Sequence, residues 1–196
     1  NVSIIKPAII IGNGPTRKII NLDNLVGKAP LYGCNALYRD FNEYDFIVAI
    51  DDGIIEELKT NLDNQSRIII PPEDERWESA EYSNQRRRNN VGMVAMDSAI
   101  KNGNNLIYLL GFDFILDGED SVDNVYKDTD NYGPETHALE EDNYYRMKYF
   151  EWYVREHIGV SFIFVVPDHK IEKCKSVRAG NVRGMRTSEF LKKLEK

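Results

Sequence analysis

Cysteine, histidine and excess positive charge are all scarce in this chain of 196 residues. Two cysteines, Cys34 and Cys174, are too few for a disulfide framework and read as buried free thiols in a reducing compartment. Lys and Arg number 25 against 32 Asp and Glu, a formal net charge of −7. That balance lacks the basic footprint of a duplex binder, so no nucleic-acid partner is expected. No apolar run approaches the ~20 residues that a membrane helix needs. The longest is Val160–Val166, so no transmembrane segment is expected. The first residues show no charged region followed by a long apolar one, so no export signal is expected and the default location is cytoplasmic. Hydrophobic residues still make up 42 % of the chain, ordinary for a globular protein. A single domain over residues 1–196 is expected, long enough to bury about 70 % of its unfolded surface without a metal or disulfide.

The apolar residues cluster in short unalternating runs rich in Ile, Val and Leu. These are residues 8–11, 30–34, 46–50, 68–70, 106–110 and 160–166. Strands buried on both faces read this way. Helical stretches fall between several of them, at 53–62, 91–102 and 137–157, with Gly103 and Gly159 as stops. Strands alternating with helices predict an α/β fold, Rossmann-like, with a mostly parallel central sheet and helices on both faces. A last short helix is expected from Thr187, capped by Thr187 or Ser188. Two regions lack the rhythm: polar Pro71–Arg88, and acidic, Tyr/Asn-rich 113–136, which reads as a lid or mobile loop.

Candidate chemistry sits where the apolar runs end. Gly12-Asn13-Gly14-Pro15-Thr16 follows the first run, where glycines let the backbone approach a ligand and turn N–H groups to a phosphate. The third glycine of the dinucleotide fingerprint is missing, so NAD is not expected. Asn35 closes the second run and offers both a donor and an acceptor, suited to a base or a ribose. Asp51-Asp52 closes the third. These carboxylates suit a ribose contact, a helix cap, or Mg²⁺ or Mn²⁺ bridging a phosphate. Asp113 closes the fifth run. In an open α/β sheet all these strand ends share one edge, where ligands bind.

The triplet Arg86-Arg87-Arg88 precedes the 91–102 helix, where it can offset an anionic group. Thr136-His137 opens the longest predicted helix. A helix N-terminus keeps a histidine neutral, and a neutral imidazole is a competent general base. His157 lies near a helix C-terminus, which favours its charged form, and His169 follows a strand end. The aromatics between Tyr144 and Tyr153 read as core and subunit interface, compatible with a homo-oligomer.

In this order the motifs resemble the bacterial lipooligosaccharide sialyltransferases, glycosyltransferase family 42, over roughly residues 7–167. The resemblance is carried by Ile11–Thr16, Gly33-Cys34-Asn35, and Ala99–Gly103 running into Ile107–Phe114. It implies inverting transfer of a sugar from a CMP-sugar donor to a glycan hydroxyl, with no required metal. It further implies that Asn13, Asn35, Asp51 and Asp113 contact or support the nucleotide, with Arg88 ahead of the helix and His137 as general base. This sequence departs from the family at three places. Val91-Gly92 replaces a Thr–Ser–Gly turn, and Ile115 replaces a phosphate-binding tyrosine, for which Tyr126 or Tyr132 is the substitute. Asp51 replaces an asparagine, which places a charge toward an anionic donor unless a cation intervenes.

Two further readings stand beside this one. Archaeal-type pterin diphosphokinases are similar in the glycine loop and strand-end acids, with Asp51-Asp52 and Mg²⁺ positioning ATP. Against that, the glycine loop has no lysine. A non-catalytic nucleotide-binding or structural module is favoured by Val91 and Ile115, where the family carries hydroxyls.

Overall fold

The computed structural model describes residues 4–73, 90–136 and 139–196. Its strands are β1 (Pro7–Ile11), β2 (Leu31–Cys34), β3 (Phe46–Val48), β4 (Ile68–Ile69), β5 (Leu106–Leu110), β6 (Ser161–Val166) and β7 (Val182–Arg186). Its α-helices are α1 (Asp52–Asn61), α2 (Val91–Lys101), α3 (Glu119–Val122), α4 (Glu140–Glu156) and α5 (Thr187–Leu194). Short 3₁₀ turns fill most of the connections, among them Pro15–Ile19, Asn35–Arg39 and Asp113–Ile115.

The strands form one sheet in the order β4-β3-β2-β1-β5-β6-β7, and every neighbouring pair is parallel. The fold is the α/β, Rossmann-like one that the sequence predicts. Successive side chains of a strand point to opposite faces. In β1, Ala8 and Ile10 enter a core covered by α2 and α4, while Ile9 and Ile11 enter a second core with α1 and α5. Both faces are filled, so the strand reads as an unbroken apolar run rather than an alternating one. Phe150 of α4 is fully buried, its ring centroid 5.0 Å from Phe164 and 6.1 Å from Phe162.

From β1 the chain runs outward through β2, β3 and β4, then returns to place β5 on the other side of β1. The strand order thus reverses beside β1, and the carboxyl ends of β1 and β5 border a cavity. This is the topological switch point at which doubly wound sheets bind ligands.

The structure corrects three sequence expectations. Strand β7 was not foreseen: as an edge strand it buries only Met185 fully, so its sequence carries charge at Arg183 and Arg186 instead of an apolar run. Helix α4 starts at Glu140, not at Thr136-His137, because Pro134–Thr136 makes its own 3₁₀ turn and the Asp142 carboxylate accepts the Leu139 N–H at 3.1 Å. Helix α5 is capped by neither Thr187 nor Ser188. The Thr187 hydroxyl turns inward to the Val166 carbonyl at 2.9 Å, and Asp168 accepts the Ser188 N–H at 3.2 Å and its hydroxyl at 2.7 Å. The segment 113–136 contains the Asp113–Ile115 turn, α3 and the Pro134–Thr136 turn, and it buries Ile115, Leu116, Tyr126 and Tyr132. Most of the polar region Pro71–Arg88 lies outside the described residues.

Candidate functional site

A cavity of about 870 Å³ occupies the switch point. Its floor comes from the strand ends: Gly12, Asn13 and Gly14 after β1, Cys34 and Asn35 at the end of β2, Asp51 and Asp52 after β3, and Gly111 to Phe114 after β5. Its walls come from the start of α2 with Gly92, from Asp123, Lys127, Asn131 and Tyr132, and from Leu139, Asp142 and Arg146 around the start of α4. Gly12, Asn13, Gly14, Asn35, Asp51, Asp52, Gly92, Asp113 and Tyr132 are thus gathered around one space. Arg88 and His137 lie outside the described residues. Neither His157 nor His169 lines the cavity, and His157 holds its Nδ1 2.8 Å from the Tyr153 carbonyl.

The glycine loop is built differently from a phosphate cradle. The Gly12 N–H donates to the Leu110 carbonyl at 2.7 Å, and the Gly14 N–H to the Gly111 carbonyl at 3.0 Å. Both are committed to the end of β5 and the residue after it instead of facing the cavity. A Cβ on Gly12 would stand 2.9 Å from the Gly111 oxygen, and one on Gly14 would strike the Asp113 carboxylate. Glycine is needed here because two backbone loops meet, with Gly111 itself at φ 69°. Pro15 opens the following 3₁₀ turn, and neither it nor Thr16 lines the cavity.

Asp113 accounts for Thr16. Its carboxylate accepts the Thr16 N–H at 3.0 Å and the Thr16 hydroxyl at 2.5 Å. Burial pushes the Asp113 carboxyl above its ordinary range, and the two Thr16 donors oppose that shift. Asp113 is therefore a buttress of the glycine loop as well as part of the cavity floor.

Asn13 and Asn35 line the cavity in another way. The Asn13 side-chain amide donates to the Cys34 carbonyl at 2.8 Å, which fixes the amide's orientation and leaves its Oδ1 buried with no donor among the described residues. The Asn35 Oδ1 is likewise buried without a donor among these residues. Asn35 itself sits at φ 53°, the left-handed region that asparagine tolerates better than most residues. A buried acceptor left unpaired costs roughly 1–3 kcal/mol, which a ligand donor would recover.

The two tyrosines part company. Tyr132 lines the cavity, and its hydroxyl accepts the Ala36 N–H at 3.3 Å. Tyr126 does not line it: its hydroxyl donates to Asp40 at 2.6 Å and accepts from Arg17 at 3.0 Å. Asp51 and Asp52 are exposed where α1 begins. Among the described residues, no group of three or more His, Cys, Asp or Glu is arranged to hold a metal ion. The sequence reading missed Lys127, Asn131, Asp142 and Arg146 as lining residues. None follows an apolar run or belongs to a motif, and only the fold carries them to the cavity.

No protein-family model matches the chain, and no curated protein sequence matches it. Solved structures do. The α-2,3/8-sialyltransferase CstII, solved as a point mutant, superposes with a TM-score of 0.50 at 18 % identity, covering 92 % of this chain and 86 % of that one. A second CstII structure, from Campylobacter jejuni in complex with the substrate analogue CMP-3FNeuAc, gives 0.42 at 18 % identity over 84 % and 81 %. The first match establishes a likeness of fold: this chain has a sialyltransferase-like, Rossmann-type α/β architecture. Among the described residues, no helix is long and apolar enough to cross a membrane.

Proposed function

We propose that the switch-point cavity binds a sugar nucleotide, a CMP-sugar in the first instance, and that the chain is a glycosyltransferase. One observation carries this reading. Two residues of the cavity floor, Asn13 and Asn35, each carry a buried Oδ1 that has no donor among the described residues. A nucleoside offers N–H and O–H donors of the kind they lack. The cavity volume lies within the ~300–1,000 Å³ usual for small-molecule sites. The sialyltransferase-like fold supports the transfer chemistry.

In this reading the acceptor hydroxyl loses its proton to His137 as it attacks the anomeric carbon, and the nucleotide leaves with the bonding electrons. Arg88 offsets the charge on the departing phosphate. No metal is required, although Asp51 and Asp52 are the groups that would hold Mg²⁺ or Mn²⁺ against a phosphate. Two buried free thiols suit a reducing, cytoplasmic setting.

Thermal unfolding with CMP, CDP, UDP, GDP and ATP, each with Mg²⁺ and with EDTA, tests the donor. A ligand at 100 times its Kd adds about 2.7 kcal/mol. For a chain of this size that is roughly 5–10 °C. Stabilisation by CMP in EDTA supports the reading. A shift confined to ATP with Mg²⁺ replaces it with diphosphoryl transfer, and no shift with any nucleotide leaves a non-catalytic module.

A further inference from the structure

The segment 126–132, which lends Lys127, Asn131 and Tyr132 to the cavity wall, is tied to the 3₁₀ turn Asn35–Arg39, and both ends of that turn take part. At one end, Ala36 gives its N–H to the Tyr132 hydroxyl at 3.3 Å. At the other, the Arg39 guanidinium bridges scaffold and wall. On the scaffold side it grips Glu57 of α1 with a fork, Nε to Oε1 at 2.7 Å and Nη2 to Oε2 at 2.8 Å. On the wall side it donates to Thr129 Oγ1 at 2.8 Å and to the Asp130 carbonyl at 2.9 Å. Its guanidinium carbon also lies 5.6 Å from the Tyr126 ring centroid and 5.7 Å from that of Tyr132. Asn131 completes the tie by donating to Glu57 Oε2 at 2.7 Å.

Charge-assisted forks and cation–π contacts of this kind reinforce one another in a half-buried setting. They hold the Tyr132 ring, and so its hydroxyl, over Ala36. That hydroxyl secures the peptide next to Asn35, the cavity-lining residue at φ 53° whose Oδ1 is buried with no donor among the described residues. Arg39 itself does not line the cavity. We infer that Arg39 is a positioning residue: through Glu57 and Tyr132 it fixes the wall segment 126–132 and the left-handed Asn35, and so sets the nucleotide site from outside it. The inference rests on the sugar-nucleotide reading for its ligand, but not for its mechanical part.

The test compares Arg39→Ala with the wild-type chain by amide hydrogen exchange and by CMP titration. The expected result is local. Exchange at Ala36 and across 126–132 rises by about tenfold or more, while amides of β1 and β5 keep their protection. CMP binding weakens by about 5- to 150-fold, the usual range for coupling between separate sites. Unchanged exchange at Ala36, or a rise shared equally by β1 and β5, overturns the inference. So does CMP affinity equal to wild type in a chain whose wall has loosened. A wild-type chain that binds no CMP overturns the sugar-nucleotide reading, and exchange at Ala36 then decides the positioning role alone. Should Arg39→Ala fail to fold, Arg39→Lys keeps the charge without the fork and carries the same readouts, because lysine cannot span both partners.

Discussion

The Asp113 carboxylate accepts both the N–H and the hydroxyl of Thr16, at 3.0 and 2.5 Å, joining the loop after β5 to the loop after β1. The two residues stand 97 apart in sequence and close the base of the switch-point crevice. Removing the carboxylate leaves two buried donors without a partner. Asp113→Ala is therefore expected to cost roughly 1–3 kcal/mol for each orphaned donor. Asp113→Asn, which keeps one acceptor, should cost less. Urea unfolding of the two variants checks this, and an Asp113→Ala value within 0.5 kcal/mol of wild type, about the range of an inert surface change, contradicts the buttress.

Gly14 and Gly159 make a matched pair. A Cβ on Gly14 would meet the Asp113 carboxylate and stand 2.6 Å from the Gly111 carbonyl, whereas one on Gly159 meets nothing within 4 Å. Gly14→Ala is expected to cost about 1–3 kcal/mol through forced backbone shifts. Gly159→Ala should stay within about 0.5 kcal/mol of wild type. Parallel thermal melts distinguish them, and equal melting temperatures refute the close-approach explanation of the glycine loop.

The sequence showed β1 to β3, β5 and β6 clearly because those strands are buried on both faces, which forces unbroken apolar runs such as Ala8–Ile11. It hid β7 because an edge strand can carry Arg183 and Arg186. Asn13, Asn35, Asp51 and Asp113 were legible as neighbours around one space because parallel topology brings all carboxyl strand ends to one edge. What those residues do there was not legible. Nothing in Gly12–Thr16 reveals that its N–H groups turn to the β5 loop, since that depends on contacts almost a hundred residues away. Tyr126 and Tyr132 looked equivalent until Arg17 and Asp40 claimed the Tyr126 hydroxyl. Arg39 and Glu57 left no signal at all, being a charged pair 18 residues apart in two ordinary polar stretches.

The pair also makes a pH prediction. Burial acts to raise the Glu57 carboxyl, but the donors Tyr38, Arg39 and Asn131 outweigh it and hold the group below its ordinary value of 4.5. A depressed carboxyl stabilises the fold above its unfolded pKa, and that contribution is lost as pH falls through the folded value. The stability difference between wild type and Glu57→Gln should therefore be constant near neutrality and shrink on acidification below about 4.5. Denaturation series at several pH values check this, and a difference that grows in acid has the wrong sign for the tie.

The two thiols give a further, independent check. Burial pushes the Cys34 thiol up to about 12 and the Cys174 thiol up to about 11. Both should stay protonated and unreactive toward iodoacetamide at pH 8 in the folded chain and react only after unfolding. Mass spectrometry of the alkylated protein reads this directly. Rapid native labelling of Cys34 would mean that the end of β2, on which Asn13 and Asn35 depend, is open.

The proposed nucleotide site stands on the unpaired oxygens of Asn13 and Asn35. Calorimetric titration of CMP in EDTA, on wild type and on Asn13→Ala and Asn35→Ala, tests it most directly. Saturable binding to wild type is expected, with a loss of about tenfold for each variant, the value of one good hydrogen bond in a buried site. No heat with wild type, or variants that bind CMP as tightly as wild type, would contradict it.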